Sequence, residues 1–163
     1  MNDAICKTNF SDSTLYTIMS LFEHEKDAFV CYLRGELCES ESSFFREISA
    51  AMRFPYYFGW NIYAFDECIT DLEWLKFSCI LLVINNFDQI FKEEDPSEGW
   101  PEYLIRHLEA AVEDWETQNI PMLVILNYPE IDKNSRRYDY RMRIRDAQIG
   151  QEFFKNICKK RGI

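Results

Sequence analysis

Two histidines, His24 and His107, are all that this chain of 163 residues contains, and they lie far apart. None of the six cysteines (Cys6, Cys31, Cys38, Cys68, Cys79 and Cys158) forms a CxxC pair. Zinc-type ligand spacing is therefore absent, and no metal site is expected. Five glycines build no phosphate-cradling loop. No serine or cysteine sits in a recognisable nucleophile signature with a histidine. The loop EEDPSEG at 93–99 lacks the alternating oxygen ligands and central glycine of a calcium loop. The expectation is a protein that is not an enzyme, with no catalytic residue and no cofactor. Long apolar runs are missing too. The longest, Cys79 to Ile84, is too short to span a bilayer, and MNDAICKTNFSD has no apolar core of signal-peptide length. Unpaired cysteines in apolar patterns, such as Cys31, Cys68 and Cys79, read as buried thiols of a protein in the reducing cytoplasm.

Positive charge is scarce over most of the chain. Residues 1–130 hold 8 Lys and Arg against 24 Asp and Glu, while residues 131–163 hold 10 against 4, for a net charge of −10. An acidic body repels phosphate, which argues against nucleic acid and anionic membrane as partners and favours a basic protein. The basic tail is expected to lie against the acidic body. The plain alternative is an acidic surface that serves solubility alone.

What is present is 47% hydrophobic residues, enough for a folded core. Leu15, Ile18, Met19 and Phe22 recur at helical spacing over 12–25, with Ser13 as a candidate N-cap. Residues 28–33, AFVCYL, read as a strand ended by Gly35. Residues 42–52 read as a helix capped by Ser42 or Ser43 and stopped before Pro55, since the residue ahead of proline avoids the helical region. Residues 78–85, SCILLVIN, and 121–126, PMLVIL, are apolar and β-branched, like strands covered on both faces. A short helical turn at 86–92 and an amphipathic helix over 101–118 separate them; His107, among apolar residues of that helix, reads as structural. The element order indicates an α/β fold with a small parallel sheet flanked by helices. Tyr140, Met142 and Ile144 alternate with arginines as in a period-two strand. Phe153, Phe154, Ile157 and Cys158 then suggest a closing helix.

Residues 54–75, FPYYFGWNIYAFDECITDLEWL, are the most informative stretch. An aromatic loop opens a helix over 61–72 whose two faces differ. Ile62, Phe65, Cys68, Ile69 and Leu72 share one face; Tyr63, Asp66, Glu67, Thr70 and Asp71 share the other. Charged residues on an exposed helix face are usually only solvated. Here Asp71 lies in the last turn, where the helix dipole disfavours an anion by about 0.3–1 kcal/mol, and Glu73 follows. A basic partner would reward these acids; nothing local does. Among the loop aromatics Phe58 is expected in the core, and Tyr57 and Trp60 at the surface as interface anchors.

The loop Phe54-Pro55-Tyr56-Tyr57-Phe58-Gly59, with Asn61, Ala64, Phe65 and the run Glu67-Cys68-Ile69-Thr70-Asp71-Leu72, resembles the barstar family of ribonuclease inhibitors. The resemblance runs from about 28 to 126, roughly the central three-fifths of the chain. It implies a three-stranded parallel sheet with helices packed beside it. It also implies a one-to-one complex in which loop and acidic helix cover the active site of a basic nuclease toxin, a ribonuclease first, with a monomer when free. By position, Tyr57 would contact the enzyme, Gly59 and Asn61 would shape the loop and start the helix, and Glu67 would stand where the family has its phosphate-mimicking carboxylate. Tyr63 replaces a family Asp, and Asp66 replaces an aromatic, so the implied partner is not the family's best-known enzyme. The expected toxin-binding set is Tyr57, Trp60, Asn61, Tyr63, Asp66, Glu67, Thr70 and Asp71. The expected organisation is a helical extension over 1–27, a barstar-like domain over 28–130, and a basic strand-helix extension over 131–163 packed on the same domain. The alternative is a non-enzymatic regulatory or scaffold domain that binds another basic protein.

Overall fold

The computed structural model describes residues 3–129 and 140–163. In chain order it contains β1 (Ile5–Thr8), α1 (Asp12–Lys26), β2 (Ala28–Arg34), α2 (Glu41–Ala51), α3 (Ile62–Asp71), β3 (Cys79–Asn85), α4 (Trp100–Thr117), β4 (Met122–Asn127) and α5 (Tyr140–Arg161). The strands form one parallel sheet in the order β1-β4-β3-β2. The sheet thus has four strands, not the three expected. The additional strand, Ile5–Thr8, is four residues long with only Ile5 buried. It carries no apolar run of its own and is defined by pairing to β4, Ile5 opposite Val124 and Thr8 opposite Asn127.

The layering follows from handedness. The path β2 to β3 to β4 steps one way across the sheet, so right-handed crossovers put α2, α3 and α4 on one face. The path β1 to β2 runs the opposite way, which sends α1 to the other face. β3 and β4 are buried along their whole length between these layers. On the α2–α4 side a phenylalanine cluster fills the core: Phe44, Phe45 and Phe65 are each at most 1% exposed. Ser11, rather than Ser13, caps α1, accepting from the Thr14 N–H at 3.1 Å. Ser40 caps α2 in a reciprocal box with Ser43, whose hydroxyl accepts from the Ser40 N–H at 2.9 Å.

Residues 140–145 are the first turns of α5, so the strand expected there is corrected to helix. The buried positions of α5 recur every three to four residues: Asp146, Gly150, Phe154, Ile157 and Cys158. Two of them are Asp and Gly, so the stripe facing α1 is invisible to a count of apolar residues. Gly150 lies so close to α1 that an added Cβ would stand 2.9 Å from the Thr17 Cβ. Asp146 accepts from the Ser11 hydroxyl at 2.8 Å. Phe153 meets Phe10 edge-on at 5.2 Å, and Phe154 meets Phe22 at 5.0 Å. At its far end α5 pairs Lys160 with Asp3, at 3.0 Å, and Arg161 with Glu116.

A buried amide network ties the strand ends together. The Asn127 Oδ1 accepts from the Thr8 hydroxyl and the Phe10 N–H, both at 2.7 Å, and its Nδ2 donates to the Asn85 Oδ1 at 2.8 Å. Asn85 in turn donates to Asp12 and to the Tyr32 hydroxyl. No helix among the described residues is long and apolar enough to cross a membrane.

Candidate functional site

The loop over 53–61 is held in shape by its own sequence. Arg53 and Trp60 occupy the left-handed region, with φ of 53° and 56°, and turn the chain at either end. The Phe58 N–H donates to the Pro55 carbonyl at 3.0 Å between them. Phe58 is 4% exposed, packed on Phe54 at 5.0 Å and Phe45 at 6.1 Å, and it anchors the loop in the core as expected. The chain around it points outward: Tyr57 is 62% exposed and Trp60 57%, and Tyr56 is fully exposed.

Asn61 starts α3. Its Oδ1 accepts from the Ala64 N–H at 3.0 Å and its Nδ2 donates to the Gly59 carbonyl at 3.0 Å, so one side chain fixes both loop and helix. Phe65, Cys68 and Ile69 are buried, and Leu72 ends the helix in the left-handed region. The Trp115 indole N–H donates to the Ile69 carbonyl at 2.8 Å and fastens the last turn of α3 to α4.

On the outer face Tyr63, Glu67 and Asp71 are exposed. Asp66 and Thr70 are half-buried because they turn toward α4. The Asp66 Oδ1 lies 2.7 Å from the His107 Nδ1, and the Thr70 hydroxyl donates back to the Asp66 carbonyl at 2.8 Å. The expected site residues therefore divide: Tyr57, Trp60, Asn61, Tyr63, Glu67 and Asp71 face solvent, while Asp66 and Thr70 line the seam between α3 and α4. Sequence reasoning passed over the link to His107. A pairing between helices 41 residues apart leaves no periodic signal.

Two hollows flank α3. One of ≈ 390 Å³ lies between loop and helix, with Tyr57 and Phe58 on one side and Glu67 and Asp71 on the other. The other, of ≈ 400 Å³, lies along the seam and includes Asp66, Thr70, His107 and Asp114. The Tyr57 hydroxyl titrates above its ordinary value, first through partial desolvation and then through the charges of Asp71, Cys68 and Glu73. Burial, then Glu67 and Asp71, raises the Cys68 thiol likewise. Ion pairs among the described residues join Arg34 to Glu47 and Lys92 to Glu39, but none reaches Glu67, Asp71 or Glu73. The described residues contain no group of three or more His, Cys, Asp or Glu arranged to hold a metal ion.

An exposed aromatic loop beside uncompensated carboxylates is suited to accept cationic groups, by stacking on the rings and pairing with the acids. No curated protein matches the chain. A family model described as Barstar (barnase inhibitor) matches residues 28–127, which run from β2 to β4 and include the whole loop and α3.

Proposed function

The chain belongs to the barstar family, and from that premise we propose that it binds a basic nuclease one-to-one and occludes its active site, with a ribonuclease toxin as the first candidate. The observation that carries this reading is the set Tyr57, Glu67 and Asp71: exposed, contiguous around one hollow, and with no ion-pair partner among the described residues. Carboxylates without an ion pair among the described residues are available to stand in for substrate phosphates. Trp60 and Tyr63, 57% and 79% exposed, extend the same surface. Tyr and Trp bury large area at low entropic cost, which makes them fit anchors for an interface. Asn61 serves by holding the loop against the helix.

The six cysteines are all free thiols, which suits action in a reducing cytoplasm. The segments outside 28–127 fit a member adapted to its own nuclease, with the basic extension packed on the same domain.

Binding to a basic ribonuclease by titration calorimetry tests the reading. Tyr57→Ala and Glu67→Gln should each weaken the complex by about 2 kcal/mol or more, the range of interface anchors. Glu23→Gln, on the exposed side of α1 beyond the sheet, should change it by less than about 0.5 kcal/mol. Equal effects at all three positions would show that the face is wrongly assigned. A stable complex with a basic protein that is no nuclease would support the regulatory alternative.

A further inference from the structure

Among the described residues, Asp66 is the one carboxylate on the outer side of α3 in an ion pair with a cationisable side chain. His107 reaches it from α4 at 2.7 Å, with side-chain exposures of 19% for the imidazole and 42% for the carboxylate. The imidazole is itself held: Tyr103, one turn earlier on α4, meets its ring edge-on at 4.4 Å. Arg106 lies over the same Tyr103 ring, 5.7 Å from its centroid. The charged groups around the seam are Asp66 and Glu67 from α3 and Arg106 and Asp114 from α4. Glu67, one residue on, borders the seam but is exposed and forms no ion pair among the described residues. Neighbouring acids of the same helix thus meet different fates, and His107 accounts for the difference.

We propose that His107 is a positioning residue for the docking face: it holds the Asp66 carboxylate against α4 and withholds it from a basic partner while the imidazole is protonated. This rests on the reading of α3 as the docking face. An imidazolium pairs with Asp66 and cancels its charge, so the face offers Glu67 and Asp71 alone. A neutral imidazole leaves Asp66 its full charge and holds it by a hydrogen bond alone, without the attraction of an opposite charge, and the carboxylate can turn to an incoming cation. Histidine is the side chain that makes this change between pH 5 and 8. The sign follows: partner binding favours the neutral imidazole, so it releases a proton, and affinity falls as pH falls. The magnitude is that of one partly exposed charge pair, about threefold in affinity.

The test uses the full chain and a hexa-arginine peptide as the cationic probe, followed by NMR at low salt. In the free protein, His107→Gln should shift the Asp66 carboxyl carbon resonance. Peptide affinity should fall about threefold from pH 8 to pH 5.5 in the native chain. It should be flat in His107→Gln and unchanged from native in His24→Gln, which alters the other histidine on the far side of the sheet. A pH profile that survives in His107→Gln, or an Asp66 resonance indifferent to that substitution, overturns the positioning role. Failure of the peptide to perturb Glu67 or Asp71 at any pH overturns the docking reading instead.

Discussion

The Ile69 carbonyl shows how single residues secure the acidic face. It belongs to the last turn of α3, where carbonyls have no helical partner, and the Trp115 indole supplies one. A tryptophan from the core side therefore sets the position of Glu67 and Asp71 on the outer side. Buried thiols act at the same scale. Burial pushes Cys31 and Cys38 up to about 12 from an ordinary 9.0. The unfolded chain would release these protons near pH 9 and the folded one only near pH 12. The folded state therefore holds more protons between the two values, and stability is lost as pH rises through that window. Thermal unfolding followed from pH 8.5 to 11 should show Tm declining, and declining less steeply in a Cys31→Ala, Cys38→Ala variant. Equal slopes would sink the assignment. At this scale the sequence was readable where burial follows polarity, as for Phe58 in the core and Tyr57 at the surface. It was opaque where a side chain's partner sits on another helix, as Asp66 and His107 demonstrate.

Among the elements, α5 is the instructive one. Its buried stripe reads Asp146, Gly150, Phe154, Ile157, so hydrophobic periodicity is legible only in its second half. The first half, judged alone, presents alternating Arg and apolar residues and imitates a strand. β1 was missed for a related reason: four residues with one buried side chain have no period to detect. The longer elements carry their own signals, and β2, α2, α3, β3, α4 and β4 lie within a few residues of the expected limits. The α1–α5 contact leads to a prediction. Gly150→Ala would place a methyl group 3.1 Å from the Thr14 carbonyl oxygen as well as against Thr17. It should lower stability by about 1–3 kcal/mol, the usual range for overpacking. Denaturant unfolding measures this, and nuclease binding at 25 °C should be unaltered because α3 lies across the sheet. A stabilised variant would mean that the two helices do not meet there.

For the whole molecule, charge is divided by the sheet. α3 and its loop present uncompensated acids on one face, while the basic α5, with Arg145, Lys155 and Lys159 exposed, covers the other. A basic partner is attracted to one side and repelled by the other, so the division orients an encounter as well as strengthening it. Association with a basic ribonuclease, measured by stopped flow, should slow about tenfold or more between 50 mM and 500 mM salt, as steered encounters do, while dissociation changes little. A rate insensitive to salt would rule out steering. The division also separates the family-matched segment, residues 28–127, from β1, α1 and α5, which together close the remaining face and edge of the sheet.

That closure carries a consequence for synthesis. Thr8 is joined to Asn127 across 119 positions, and among the described residues β1 pairs in the sheet with β4 alone. Contacts so distant in sequence form slowly. On the ribosome, β2, β3 and the helices between them can assemble while β1 waits, its ladder groups unpaired, until residues 122–127 emerge. β1, made before the three strands it joins, is the last of the four to be seated, and the edge of β4 stays open to other chains for as long as that seating takes.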